Sequence, residues 1–448
     1  MKFSNLNIAT EDYSLLTDLY QLTMSACYTG ENLHNSKASF EMFVRSLPPH
    51  FGYLIAMGLT QAIEYLENLH FTSAQINALK ATEIFDHVTD DFWSLLSTGH
   101  FTGDVYAVPE GTAIFPHEPF LRVEAPLWQC QLIETYLLNT INYQTLIATR
   151  AARMRDLAGS EAILLEFGTR RAFSPQGALW AARAAIAGGF NTTSNVLAAL
   201  KLGIKPSGTM AHALVMAIGA LEGSEDDAFE AFQRYFPTAP LLIDTYDTVA
   251  AAQRLSAKVK NGEMTVTGVR LDSGDLIELS KTVRSLLGNI SIFASGDLDE
   301  WEIQRLKKEG AQIDGYGLGT RLVTGTPVNG VYKLVEINGI PTMKLSNNKK
   351  TFPGKKQIFR QEKDGKIIAD RLGLCSENPA KNEISLLIPV MKEGKRLLEI
   401  ENLAEIQKRT LKSVAKLPLE TKKITDPVLL NMTISDELES LHQNVLKR

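Results

Sequence analysis

Ala162-Ile163-Leu164-Leu165-Glu166-Phe167-Gly168-Thr169-Arg170-Arg171 carries the clearest fold signal in the chain. Its apolar half is continuous rather than alternating, the pattern of a strand covered on both faces. A glycine-bearing turn with two arginines follows, and then an alanine-rich helical pattern over residues 175–187. Strand, polar turn and helix in that order make a βα unit. The same rhythm continues to about residue 325. Further strand-like segments fall at 189–191, 204–206, 241–244, 265–271, 290–294 and 313–316, with a second clear helix at 248–260. Seven such segments predict an α/β barrel or an open parallel sheet.

Outward from this core the pattern changes. Residues 13–28 and 53–69 carry apolar residues at helical spacing, and 127–155 reads as one long helix after Pro126. Residues 103–120 mix Val and Phe with Pro and Gly, as strands and turns do. Beyond 330, Asn338-Gly339 between 331–336 and 342–345, and Asp364-Gly365 between 357–361 and 366–369, predict two hairpins. The expected organisation is an α/β domain over 131–330 and a discontinuous α+β domain from 1–130 and 331–448.

Composition narrows the class. The chain has 448 residues, 44% hydrophobic and 22% charged, with a net charge of −5. That is ordinary for a soluble domain pair and supplies no basic field for nucleic acid or an acidic membrane. Cys27, Cys130 and Cys375 are three and far apart, which excludes a disulfide framework and a paired-cysteine metal site. The N-terminus lacks the basic-then-apolar pattern of a signal peptide, and no apolar run reaches the roughly 18 residues of a membrane span. A cytoplasmic location is expected.

The chemistry-bearing residues recur at one place, just after each strand segment. Barrel enzymes gather their sites at the carboxyl ends of strands, so these turns are expected to converge. Leu271-Asp272-Ser273-Gly274-Asp275 offers backbone N–H groups for an anion and carboxylates for ribose hydroxyls or a phosphate-bound Mg²⁺. The same residues equally suit a turn and a helix cap. Ser295-Gly296-Asp297 and Gly317-Leu318-Gly319-Thr320 put glycine where backbone must approach a ligand, in the last two βα turns, where barrels often bind phosphate. His212 opens an apolar helix, a setting that favours neutral imidazole; a partly buried histidine with one satisfied hydrogen bond is the plainer reading. Arg170 and Arg270 can clamp a carboxylate or phosphate, and Phe167 can stack on a flat ring or simply pack in the core. Arg171 reads as a solvated charge. Lys349, Lys350, Lys355 and Lys356 around Pro353-Gly354 read better as a solvated hairpin loop than as a polyphosphate site.

Taken in order, these motifs resemble the nicotinate phosphoribosyltransferases over most of the chain. The resemblance is carried by Thr17-Asp18-Leu19-Tyr20-Gln21-Leu22-Thr23-Met24, Phe167–Arg171, Gly189-Phe190 through Thr193-Ser194-Asn195, and Gly208-Thr209-Met210-Ala211-His212. Arg270–Asp275, Ser295-Gly296-Asp297-Leu298, Gly317–Thr320 and Pro353-Gly354-Lys355-Lys356-Gln357 complete it. It implies an irregular seven-stranded, TIM-like α/β barrel with a second α+β domain built from both chain ends. It also implies a homodimer with shared sites, and condensation of nicotinate with phosphoribosyl pyrophosphate, coupled to ATP and accompanied by Mg²⁺. Nicotinate would stack between Phe167 and a Tyr20 contributed by the other subunit, with Arg270 facing its carboxylate or the nearby phosphate. Arg170, Gly296, Asp297, Gly317, Gly319 and Thr320 would hold the 5′-phosphate side. Asp272 and Ser273 would serve the ribose, and His212 would be phosphorylated by ATP. Nicotinamide-using relatives carry aspartate where Ser194 stands, which repels a carboxylate, so Ser194 favours the acid.

Two rivals stand beside this reading. One is a phosphoribosyltransferase for nicotinamide or for quinolinate; the latter's two carboxylates call for more cations than can be placed. The other is a non-catalytic relative that binds a phosphosugar. An aldolase-type barrel would need a lysine at a strand end, and none is found there.

Overall fold

In the computed structural model, residues 6, 8–345 and 351–447 are described. They divide into two compact units, residues 147–325 and, for the other, residues up to 146 together with 326 onward. The chain passes between them within the helix Glu134–Ala158 and again just after Gly325.

The 147–325 unit is a mixed α/β fold around a six-stranded, all-parallel sheet. Its order is Thr192–Thr193, Ile163–Glu166, Gly315–Leu318, Ser291–Ala294, Gly268–Leu271, Leu241–Leu242. The helices Pro175–Ala187, Thr248–Lys260, Leu276–Leu287 and Glu300–Lys308 alternate with these strands. Leu164, Leu241, Val269, Ile292 and Leu318 are fully buried, as continuous apolar strands require. Each helix starts on a side-chain cap: Ser174, Asp247, Asp275 and Asp299 accept backbone N–H groups of the first turn.

Two of the seven anticipated strands differ, for one reason. Residues 189–191 were expected as a strand, but Gly189 N and Phe190 N donate to Ile186 O and Ala185 O and close the preceding helix. Pairing therefore begins only at Asn191, whose N–H meets Leu164 O at 2.9 Å, and the strand is Thr192–Thr193. Residues 204–206 form no strand. Ile204 N closes the helix Val196–Lys201 by donating to Ala199 O, and Pro206 has no N–H to give. The segment still runs beside its neighbour, with Ser207 N on Thr193 O at 3.0 Å and Thr192 Oγ1 on Lys205 O at 2.6 Å.

The other unit is built on a seven-stranded sheet in which Lys37–Val44 pairs antiparallel with both Gly330–Ile337 and Leu121–Pro126. A four-stranded sheet holds the hairpin Lys356–Lys363 and Lys366–Leu374. Both hairpin turns carry positive φ at the anticipated residues, Asn338-Gly339 and Asp364-Gly365. The first returns only as Ile340–Pro341, not over 342–345. The helix expected at 53–69 is instead a short strand, Leu54–Ile55, and a helix, Leu59–Glu67. Gly58 at φ +101° turns the chain between them, and a Cβ there would lie 3.0 Å from the Ile141 backbone. Residues 13–28 likewise split into the 3₁₀ turn Thr10–Leu15 and the helix Leu19–Gly30, and 127–155 into Leu127–Leu132 and Glu134–Ala158.

The lysines of the Pro353-Gly354 turn are not a solvated loop. Lys356 is buried, with Nζ 2.8 Å from Glu41 Oε2 and 2.7 Å from the carbonyls of Phe352 and Gly354. Lys355 pairs with Glu124 at 3.2 Å. Lys349 and Lys350 lie outside the described residues. No helix among those described is long and apolar enough to cross a membrane.

Candidate active site

The turns after five of the six parallel strands face one cavity of about 810 Å³, the turn after Leu241–Leu242 contributing no lining residue. Phe167, Arg170, Ser194, Arg270, Asp272, Gly296, Asp297, Gly317, Gly319 and Thr320 all line it. The sequence reading had picked out every one of these.

Close backbone packing explains the glycines. Phe167 lies across Gly317: a Cβ at 317 would fall 2.6 Å from two of its ring carbons. Phe167 N also donates to Leu318 O at 2.8 Å, which fixes the start of the turn. Gly296 has φ +93°, and a Cβ there would meet Asp272 O at 2.3 Å. Only glycine lets these two turns approach so closely.

Arg270 is largely buried. Its Nη1 donates to Thr209 Oγ1 at 3.2 Å, while its Nε is buried without a hydrogen-bond partner. Burial lowers its pKa and Arg170 adds to the lowering, while Asp272 and Asp244 work against it. A guanidinium in a cavity wall can take an anion through charge-assisted hydrogen bonds.

Asp272 and Asp275, indistinguishable by sequence, divide the two roles. Asp275 caps the helix Leu276–Leu287, accepting from Ile277 N at 3.1 Å. Asp272 faces the cavity, and its Oδ1 accepts the Ser295 hydroxyl. Ser273 does not line the main cavity. Its hydroxyl donates to Asp244 Oδ2 at 2.7 Å, beside Asp272 N at 2.8 Å, and it borders a smaller recess of about 430 Å³. Asp244 is thus the buried anchor of this turn, a role that no local motif signals.

His212 begins the helix His212–Glu222 beside the cavity rim. Its Nδ1 lies 3.1 Å from Thr245 Oγ1, and its Nε2 lies 3.9 Å from Asp272 Oδ2 and 4.0 Å from Asp244 Oδ1. That Asp244 oxygen is buried and has no hydrogen-bond partner. The imidazole is therefore held on one nitrogen, with the other turned toward two carboxylates.

The Ser194 hydroxyl donates to Glu166 O at 3.1 Å rather than pointing free. Tyr20 belongs to the other unit, where it is half-exposed with its hydroxyl 3.3 Å from Glu134 Oε2. Partial burial, then Glu134 and Asp18, push its pKa up to about 12, so the phenol stays neutral. Gly208, Thr209, Met210, Ala211, Ser295 and Arg171, members of the quoted motifs without an assigned role, also line the cavity. Arg171 is exposed, as a solvated charge would be, and also borders the cavity from the same βα turn as Arg170.

A parallel α/β unit whose strand-end turns enclose three arginines and two carboxylates defines an enzyme class that handles small anionic, phosphorylated substrates. Comparison with known proteins narrows this. Three family models match consecutive parts of the chain: the nicotinate phosphoribosyltransferase N-terminal domain over 15–142, the nicotinate phosphoribosyltransferase family over 163–364, and its C-terminal domain over 382–442. The nicotinate phosphoribosyltransferase of Bacillus subtilis is 43% identical over 78% of this chain and 73% of its own length. The Mycobacterium tuberculosis enzyme pncB2 is 38% identical over 96% and 94%. The crystal structure of human nicotinic acid phosphoribosyltransferase superimposes with a TM-score of 0.84 at 28% identity, covering 96% of this chain and 99% of that one. The chain belongs to the nicotinate phosphoribosyltransferase family.

Proposed function

We propose that the chain condenses nicotinate with phosphoribosyl pyrophosphate to give nicotinate mononucleotide and pyrophosphate, coupled to ATP hydrolysis. The observation that carries this is the convergence of Phe167, Arg170, Arg171, Arg270 and the Gly296 and Gly319 turns on one cavity. A flat aromatic acid needs a ring platform and a cation. A phosphorylated sugar needs glycine-rich turns and further cations. The cavity offers both sets.

In this reading nicotinate lies on Phe167 and gives its carboxylate to Arg270, whose guanidinium lines the cavity. Ser194 contributes by not being acidic: its hydroxyl serves Glu166 O, and no carboxylate stands there to repel the substrate. Asp272 takes ribose hydroxyls, and Arg170 with the Gly296-Asp297 and Gly317–Thr320 turns takes the phosphate side. Loss of pyrophosphate builds positive charge at the anomeric carbon, and the pyridine nitrogen attacks from the opposite face. No covalent nucleophile is required, so positioning and electrostatic neutralisation supply the rate. Mg²⁺, arriving with the phosphorylated substrate, would neutralise the leaving group. Asp272 and Asp297 are the cavity carboxylates suited to meet it, and among the described residues no group of three or more ligands is placed to hold a metal alone.

His212 is the phosphoryl acceptor in the coupling to ATP. Its orientation supports this, with Nδ1 engaged by Thr245 and Nε2 free of a hydrogen bond. The 204–207 segment, bonded to Thr192–Thr193, would supply the seventh edge of a closed barrel. The working form is a homodimer in which Tyr20 of a second copy covers the ring. Val196, Leu197 and Leu200, exposed on the helix after Ser194, support such a covered face.

Pyrophosphate release with nicotinate, nicotinamide and quinolinate, each with phosphoribosyl pyrophosphate and Mg²⁺, tests the assignment. A clear preference for nicotinate is expected. Preference for nicotinamide would reject the choice of substrate, and tight phosphosugar binding without turnover would make the chain a binder.

A further inference from the structure

Glu166 ends the strand Ile163–Glu166 directly beneath the cavity, yet does not line it, and its side chain is fully buried. A buried carboxylate is costly unless its oxygens are satisfied. Here each oxygen is used on a different turn. Oε1 accepts the Gly168 N–H, just past Phe167, and Oε2 accepts the Thr193 hydroxyl on the neighbouring strand. Thr193 Oγ1 in turn accepts Asn195 N at 2.9 Å. The Glu166 carbonyl accepts both Ser194 N at 2.9 Å and Ser194 Oγ at 3.1 Å.

The two turns joined in this way carry Phe167 and Ser194, the pair that faces the flat ring in the proposed function. Gly168 has no room to drift, since a Cβ there would stand 2.2 Å from Val323 and 2.7 Å from Glu166 Oε1. On the phosphate side, the 295–297 turn is held by the Ser295 hydroxyl on Asp272, and the 317–320 turn by the backbone bond from Phe167 N to Leu318 O at 2.8 Å.

We infer that Glu166 is a positioning residue of the ring subsite, a buried clamp that sets Phe167 against Ser194 and so governs affinity and selectivity for the aromatic acid. The inference rests on the reading that the ring lies at Phe167. Removing the clamp loosens the ring platform and leaves the phosphate turns in place. A change of this kind raises KM for one substrate without an equal effect on the other.

The test uses the full chain and four variants in steady-state assays. Glu166→Met keeps the length but presents no acceptor oxygen and no donor, so both turns lose their bond. Thr193→Val removes the hydroxyl at constant volume, while Thr193→Ser restores it. Phe167→Ala reports on the ring site itself. Expected are a roughly tenfold or greater rise in the nicotinate KM for Glu166→Met and Thr193→Val, with the phosphoribosyl pyrophosphate KM within about twofold of the parent and Thr193→Ser close to it. The preference for nicotinate over nicotinamide should fall in the same variants. If Phe167→Ala raises the nicotinate KM but Glu166→Met and Thr193→Val do not, the clamp is refuted while the ring site stands. An equal rise in both substrates' KM, or failure of Thr193→Ser to restore the parent value, also refutes it. An unchanged nicotinate KM in Phe167→Ala refutes the ring site and the clamp with it.

Discussion

Gly296→Ala is a small change whose effect follows from two distances. The residue has φ +93°, where a Cβ meets steric resistance of about 1–2 kcal/mol. The new methyl would also stand 2.3 Å from the carbonyl oxygen of Asp272, about 0.7 Å inside the 3.0 Å that real Cβ atoms keep. The obstacle is backbone, so it cannot rotate away. The 295–297 turn must retreat from the 272 turn by most of an ångström, and the Ser295–Asp272 bond goes with it. Both turns wall the cavity, and a displacement of about 1 Å in a reactive site costs up to roughly 100-fold in rate. A fall of about 10- to 100-fold in kcat/KM for phosphoribosyl pyrophosphate is expected, read by pyrophosphate release. Gly262→Ala is the control: its φ is +71° and nothing lies within 4 Å, so only the backbone penalty applies. It should lose about 1 kcal/mol of stability or a little more, with activity unchanged. A folded Gly296→Ala enzyme within threefold of the parent would show that the closeness of these two turns does not matter to catalysis.

Other expectations concern charge. Glu118 is buried beside Asp370, and burial first and that carboxylate second raise its pKa well above the usual range. The folded state therefore keeps a proton that the unfolded chain releases. The associated stability is complete below the ordinary carboxylate pKa and is lost as pH rises through the raised one. Glu118→Gln should flatten this dependence, leaving the melting temperature unaltered in acid and higher near neutrality; an unaltered slope would refute it. Arg360→Met should cost about 3–5 kcal/mol in denaturant titrations, because Asp370, bound by Nη2 at 2.6 Å, would be left buried and unpaired. A loss below about 1 kcal/mol would mean that the network relaxes. His212→Asn should retain weak condensation but lose stimulation by ATP; a phosphorylated intermediate that still forms would exclude His212 as acceptor.

Much of the 147–325 unit was legible because its strands are buried on both faces and its turns concentrate glycine and charge. The segments that differed did so through hydrogen bonds with no compositional trace. The Phe190 and Ile204 N–H groups finish helices before they can begin strands. Ten cavity residues were readable as strand-end motifs, because βα geometry fixes where such turns point. Asp244 is legible as a strand-end residue, but its partners, like those of Lys356, are not, since each acts across 28 or more residues of sequence on groups that folding alone brings near. Asp272 and Asp275 show the limit of motif reading: the same residue type three apart gives one cavity wall and one helix cap.

The ring of Phe167 resting on the bare backbone of Gly317 ties the fates of two positions that lie 150 residues apart in the chain. A side chain at 317 can be gained only if the aromatic at 167 is first reduced, and the large aromatic can return only after 317 is again stripped. Lineages that drift to other flat or non-flat substrates should therefore change this pair together, and a library varying either site alone would sample mostly dead ends.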